Sequence, residues 1–164
     1  MRRKNREVSD IASILDILDR CDTIRIAISP SDSDVAGYPY VVPVSFGWEV
    51  LNNKTVIYFH CAKQGMKIDM LEKHPKVCIE GDIFIKIEPT KHGITARYES
   101  VIGFGHCSFA TDKDEILHGL KILLDHYGYS NYPLDRCIGL EHLFVGKIVL
   151  DEITGKRNLP DPGV

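Results

Sequence analysis

From Ser9 onward the chain sets Ile11, Ile14, Leu15 and Leu18 at spacings of three and four, the stripe of a helix that buries one side. Ser9 is a good N-cap, which predicts a helix from there to about Arg20. Residues 23–29 (TIRIAIS) alternate apolar and polar positions, as a half-buried strand does. Residues 29–39 are turn chemistry throughout, and residues 40–50 (YVVPVSFGWEV) are β-branched and aromatic, one strand with Pro43 marking an edge or a bulge. LNNK (51–54) predicts a hairpin turn into a strand at 55–62, and MKIDMLEKHP a short helix stopped by Pro75. Two long strands follow, at 76–89 and 95–110, joined by a turn at TKHG. The clearest helix is 111–128. Asp112 and Glu115 fit a capping box, Ile116, Leu120, Leu123 and Tyr127 recur along one face, and Gly128 supplies the stop. A last strand covers 142–155.

Six strands and three helices result, with strands joined mostly by short turns. Helices do not alternate with strands as parallel βαβ units require, so the expected class is mainly β (α+β): an antiparallel barrel or strongly bent sheet with flanking helices. A chain of 164 residues is enough for one domain, expected at 1–157 and followed by a free tail at 158–164.

Composition narrows the chemistry mainly by exclusion. With 44% hydrophobic and 26% charged residues and a net charge of -3, the chain shows no basic field of the kind that drives nucleic-acid binding. The basic start MRRKNR leads into no apolar segment, so it does not read as a signal peptide, and no run reaches the roughly 18 apolar residues of a membrane span. A cytoplasmic location is the expectation. The five cysteines (21, 61, 78, 107 and 137) lack CxxC spacing, so reduced thiols are expected, with neither a disulfide framework nor a metal site.

The stretch YFHCAKQGMKIDML (58–71) asks for a ligand. A strand ends in His60, Cys61 and Ala62, turns through Gly65, and restarts as a helix with Lys67 in its first turn. Unpaired N–H groups at a helix start attract anions, Gly65 lets backbone approach a ligand, and Lys67 adds a full charge. An ordinary strand-to-helix turn with solvated lysines is the alternative. Pro43 withholds a ladder donor beside Val44, Ser45 and Phe46, which either frees backbone for a ligand or marks an edge strand. Gly103 and Gly105 inside a strong strand mark a barrel bend or the close approach of another body.

Taken in order, YVVPVSFGW, IYFHCAKQGMKIDML, RYESVIGFG and KIVLDEITGK resemble the pyridoxamine 5′-phosphate oxidase-like, flavin-binding split-barrel family, and within it the nitroimidazole-resistance branch. The resemblance implies a six-stranded antiparallel split β-barrel that forms a homodimer, with flavin in grooves between subunits. It implies FMN, with FAD possible. Pro43, Val44, Ser45 and Phe46 would run beside the flavin ring, and His60, Cys61 and Ala62 would line the ribityl-phosphate region. Gly65 and Lys67 would hold the phosphate, and Ser100 and Val101 would approach from the neighbouring long strand. Many relatives carry arginine or serine in the phosphate cradle, where this chain offers mainly Lys67, His60 and Lys63. The C-terminal arginines and histidine that serve vitamin B6 oxidation have no match here.

The implied activity is a flavin-dependent oxidoreductase reducing a small acceptor such as a nitroaromatic, with His60 as proton donor, since imidazole titrates near neutral pH. The alternative is a non-catalytic flavin-binding protein for storage or sensing. A barrel holding haem or a deazaflavin, or none of these, completes the field. Cys61 beside His60 is no catalytic pair, because adjacent strand residues point to opposite faces. His118 and His126 read as packing or solvated residues, and Lys156 and Arg157 as a basic end that could reach a partner's flavin.

Overall fold

The computed structural model describes residues 3–30, 37–91, 93–134 and 139–160. The chain orders its elements as β1 (Glu7–Val8), α1 (Ile11–Asp19), β2 (Ile24–Ile28), β3 (Tyr40–Val44), β4 (Gly47–Leu51), β5 (Lys54–Ala62), α2 (Met66–Lys73), β6 (Lys76–Thr90), β7 (Gly93–Phe109), α3 (Lys113–His126) and β8 (Leu143–Asn158). The turn expected at 29–39 falls partly, and Cys137 wholly, outside the described residues, as do His92 and the last residues of the tail.

One antiparallel sheet runs β3-β2-β6-β7-β8-β5-β4, and β1 adds to β8. Its outermost strands, β3 and β4, are joined through Ser45 and Phe46 alone. So short a link can join opposite edges only if the sheet curls back on itself, which makes a split barrel. The single strand expected at 40–50 is therefore two strands, and with β1 the count rises from six to eight. The crossing is pinned from outside. The Phe46 N–H donates to Tyr127 Oη at 3.2 Å, and the Tyr127 hydroxyl donates to the Asp22 carbonyl at 2.7 Å. Gly47 is required there, because a Cβ would lie 2.3 Å from the Ile122 carbonyl oxygen of α3.

The barrel is filled by Ile24, Ile26, Ile28, Phe59, Ile79, Val101 and Ile148, all at 1% exposure or less. Helix α1 adds Ile14, Ile17 and Leu18 to this core. Its cap is Asp10 and not Ser9, as the Asp10 carboxylate accepts from the Ser13 N–H at 2.8 Å. The buried stripe accordingly takes in Ile17, while Ile11 at the first helical position is 53% exposed. Helix α3 covers a smaller cluster of Val56, Tyr58, Leu120 and Val145 on the outer side of β5 and β8. Asp112 caps it as expected, its Oδ1 accepting from the Glu115 N–H at 2.9 Å, while the Glu115 carboxylate accepts from Lys147 at 2.7 Å.

Asn52 and Asn53, at φ of 50° and 62°, turn β4 into β5 in a primed hairpin, the turn that suits strand twist. Strand β8 runs on to Asn158, and Arg97 donates to Asn158 Oδ1 and to the Leu159 carbonyl, so the first tail residues are tied down. No helix among the described residues is long and apolar enough to cross a membrane.

Candidate functional site

Most of the expected site residues lie on β3, on its crossing to β4, and at the end of β5 with the turn that follows. In the β4–β5 ladder Gly47 stands opposite Tyr58. Followed back along the chain, Phe46 and Ser45 leave that ladder at the level of Phe59 and His60. The crossing from β3 therefore enters β4 beside the end of β5, at the opposite edge of the sheet from β3. Val44 and Phe46 bury their side chains in the core, which leaves their backbone for any ligand, while Pro43 and Ser45 are exposed. Strand β3 pairs only with β2, so its other side is free of a ladder partner among the described residues.

Alternation divides His60 from Cys61. His60 is exposed, on the face that carries Tyr58. Cys61 turns inward with Phe59 and packs against the barrel core. Burial raises the Cys61 thiol, against the nearby charge of Lys67. Across the interior, burial pushes Cys107 up to about 12, with Cys61 adding and Lys67 opposing. Both thiols are protonated at neutral pH and serve as apolar packing, not as nucleophiles.

The turn into α2 is open. Gly65 is the N-cap, with φ 132° and ψ 163°, and a Cβ there would meet nothing within 4 Å. The Ile68 and Asp69 N–H groups close on the Gly65 carbonyl at 2.8 and 3.2 Å, so those of Met66 and Lys67 precede the first intrahelical bond. Lys67 Nζ lies 5.4 Å from the centre of the Phe59 ring, and Lys63 Nζ 5.5 Å from that of Phe144. Phe144 in turn packs on Phe109 with ring centres 5.0 Å apart. Nothing local in the sequence marks Phe144, Phe109 or Cys107 as neighbours of this turn; the β5–β8–β7 register brings them there. A half-buried cation, first-turn donors and a glycine with free space suit a phosphate, and the free side of β3 suits the edge of a flat ring. The residues present fit a flavin.

Ser100 and Val101 lie elsewhere. Ser100 is opposite Asp82 and Lys156, and Val101 is fully buried between Gly81 and Gly155. From Ser100 to Cys107 along β7 is about 20 Å at the rise of an extended strand. Their own surroundings are basic: burial would raise the Tyr98 phenol, but hydrogen bonds from Lys156 and Arg6 outweigh it and hold it below its usual range. Gly103 and Gly105 mark close protein packing. A Cβ would lie 2.9 Å from the Leu150 side chain at Gly103 and 2.2 Å from the Val149 carbonyl oxygen at Gly105. The remaining histidines of α3 pack: His118 bonds Glu49 at 2.7 Å, and His126 stacks on Phe46 at 4.3 Å.

Residues 10–157 match the model of a family described as pyridoxamine 5′-phosphate oxidase. A solved structure from Bacteroides thetaiotaomicron, described as a candidate 5-nitroimidazole antibiotic resistance protein, is 30% identical over 92% of this chain and 86% of its own, with a TM-score of 0.75. The flavocytochrome Anf3 from Azotobacter vinelandii shares the fold at 16% identity, over 98% of this chain and 72% of its own, with a TM-score of 0.76. An FAD binding protein from Mycobacterium smegmatis does so at 18% identity, over 94% of this chain and 98% of its own, with a TM-score of 0.61. Among proteins of curated function none matches. The family match across nearly the whole chain, on a split barrel, makes this protein a member of the pyridoxamine 5′-phosphate oxidase family.

Proposed function

We propose that this chain is a flavin-dependent oxidoreductase that holds FMN in the split and reduces a small acceptor, a nitroaromatic of the 5-nitroimidazole kind. The observation that carries this reading is the β3–β4 crossing at Ser45 and Phe46, beside the strand that leads into the His60–Lys67 turn, with a free strand side and a half-buried cation. The 30% identity with the Bacteroides thetaiotaomicron protein supports the acceptor class.

The chain's own residues divide the work. The Lys67 ammonium and the first-turn N–H groups of α2 bind the phosphate; a charge-assisted contact of this type is worth about 1.5–3 kcal/mol. A cradle centred on one lysine suits the single phosphate of FMN better than the diphosphate of FAD. Backbone groups of Pro43, Val44 and Ser45 meet the polar edge of the ring, while the buried Phe46 and Phe59 fix the two strands. When bound, the flavin supplies the electron transfer. His60, exposed at the same level, hands a proton to the reduced acceptor.

The reading includes a homodimer. Ser100 is too far along β7 to share a ligand with Lys67 of the same chain, so it would reach it from a second copy, whereas Val101, sealed inside the barrel, supports that strand from within. Phe84, Ile87 and Ile94, 63%, 59% and 77% exposed on the β6–β7 hairpin, give that copy an apolar surface to cover.

The test is to load the protein with FMN, reduce it, and mix it anaerobically with a 5-nitroimidazole. Reoxidation with formation of the reduced imidazole is expected. Firmly bound FMN that the nitro compound never reoxidises would assign the chain to flavin storage or sensing instead.

A further inference from the structure

The outer face of the sheet carries a cavity of about 380 Å3, separate from the split. Its floor is built by register: Ala27 on β2 stands opposite Cys78 on β6, and Cys78 opposite Phe104 on β7, so the three share one face. Gly105 beside them carries no side chain. Pro39 and Ser29 close one end of the cavity, and Lys76, His106 and Asp151 stand at its rim.

The rim owes its form to a β-bulge. Phe104 pairs with Glu152 and Gly105 with Leu150, which leaves Asp151 as the extra residue of β8. Bulges re-aim side chains. Here Asp151 meets His106 Nδ1 at 3.0 Å and Lys54 Nζ at 3.1 Å. The hydrogen bond from Lys54, with the charge of His106, keeps Asp151 below the usual carboxylate range. With Nδ1 engaged, Nε2 of His106 is left for a ligand. Lys76 stands directly opposite His106 in the β6–β7 ladder, and no carboxylate among the described residues pairs with it. Burial and the charge of Glu80 raise the Cys78 thiol, so it adds a neutral surface to the floor.

We propose that this cavity binds a small aromatic carboxylate, with its ring on Phe104, Ala27 and Cys78 and its carboxylate on the Lys76 ammonium, beside His106. The volume suits one ring with a short substituent. The Lys76 ammonium selects an anionic group, and the apolar floor selects a flat body. The Asp151 carboxylate at the same rim is already held by Lys54, so the charge of Lys76 stands uncompensated there. His106 points outward while Cys107, the next residue, faces the interior near Lys67, so this site and the split lie on opposite faces of β7.

The test is a 1H–15N NMR titration of the full chain with sodium benzoate, with benzamide as the neutral analogue. Saturable shifts are expected around Ala27, Cys78, Phe104 and His106, with a dissociation constant on the order of 1 mM. Benzamide should bind about tenfold more weakly or worse, because it lacks the charge. The variants Lys76→Met and His106→Gln alter exposed side chains, so the fold should survive. Combined, they should weaken benzoate about tenfold or more. Absence of saturable shifts, shifts located elsewhere, or equal benzoate affinity in the double variant would overturn the proposal. So would competition by added FMN, since that would place benzoate in the split; failure to bind FMN at all would leave this site untouched.

Discussion

The barrel body and the split are made from the same strands yet follow opposite rules. In the body, strands β2, β6, β7, β8 and β5 each have neighbours on both sides, and their inward residues are sealed. Its glycines are sites where protein already fills the space a Cβ would need, as at Gly47 against α3. At the split, β3 has one neighbour, His60 is exposed, and Gly65 faces open space. The contrast teaches that stability is concentrated in the body, so the split can carry unpaired backbone and a half-buried cation at little cost to the fold.

The largest effect should come from the body. Ile26 is wholly buried on a central strand, so Ile26→Ala should lower unfolding free energy by about 2–5 kcal/mol in a denaturant titration. A loss under 1 kcal/mol would mean that the barrel interior is not close-packed. Next comes the joint between the regions. Gly47→Ala sets a methyl group against the α3 backbone and should cost about 1–3 kcal/mol, with α3 shifted outward. Unchanged stability would show that α3 does not hold the crossing.

Alkaline titration sharpens the comparison further. Burial places Cys107 at about 12 and Cys21 at about 11, against an ordinary 9.0. Near neutral pH both thiols are protonated whether the chain is folded or not. From pH 9 to 12 the unfolded chain loses these protons first, so stability falls as pH rises. Cys107→Ala should flatten that fall in a series of melting curves; an identical slope would remove Cys107 from the buried set. The smallest effect on the fold is expected at the split. Lys67 is partly exposed and, among the described residues, lies over a ring face with no ion pair, so Lys67→Ala should change stability by about 0.5 kcal/mol or less.

Local chemistry was legible in the sequence. The Asn52–Asn53 turn, the Asp112 cap, the β5-to-α2 turn at Gly65 and the stop at Pro75 each depend on a few adjacent residues, and each is found where the pattern puts it. What depends on register was not legible. Tyr40 to Val50 is β-branched and aromatic throughout, so nothing in it announces that Ser45 and Phe46 cross from one sheet edge to the other. Ser9 and Asp10 are both good caps, and the burial of Ile17 decides between them. The residues of the β5–α2 turn are neighbours in sequence and therefore in space. Ser100 is placed by its pairing with Lys156, a contact that no local pattern encodes.

The most direct measurement is an equilibrium titration of the purified chain with FMN, followed by flavin fluorescence, on the wild type and on Lys67→Ala. One FMN per chain should bind saturably. Loss of the lysine should weaken it by about tenfold or more while the melting curve stays in place. No saturable uptake of FMN or FAD by the folded protein, or equal affinity in Lys67→Ala, would contradict a phosphate held at the turn after β5.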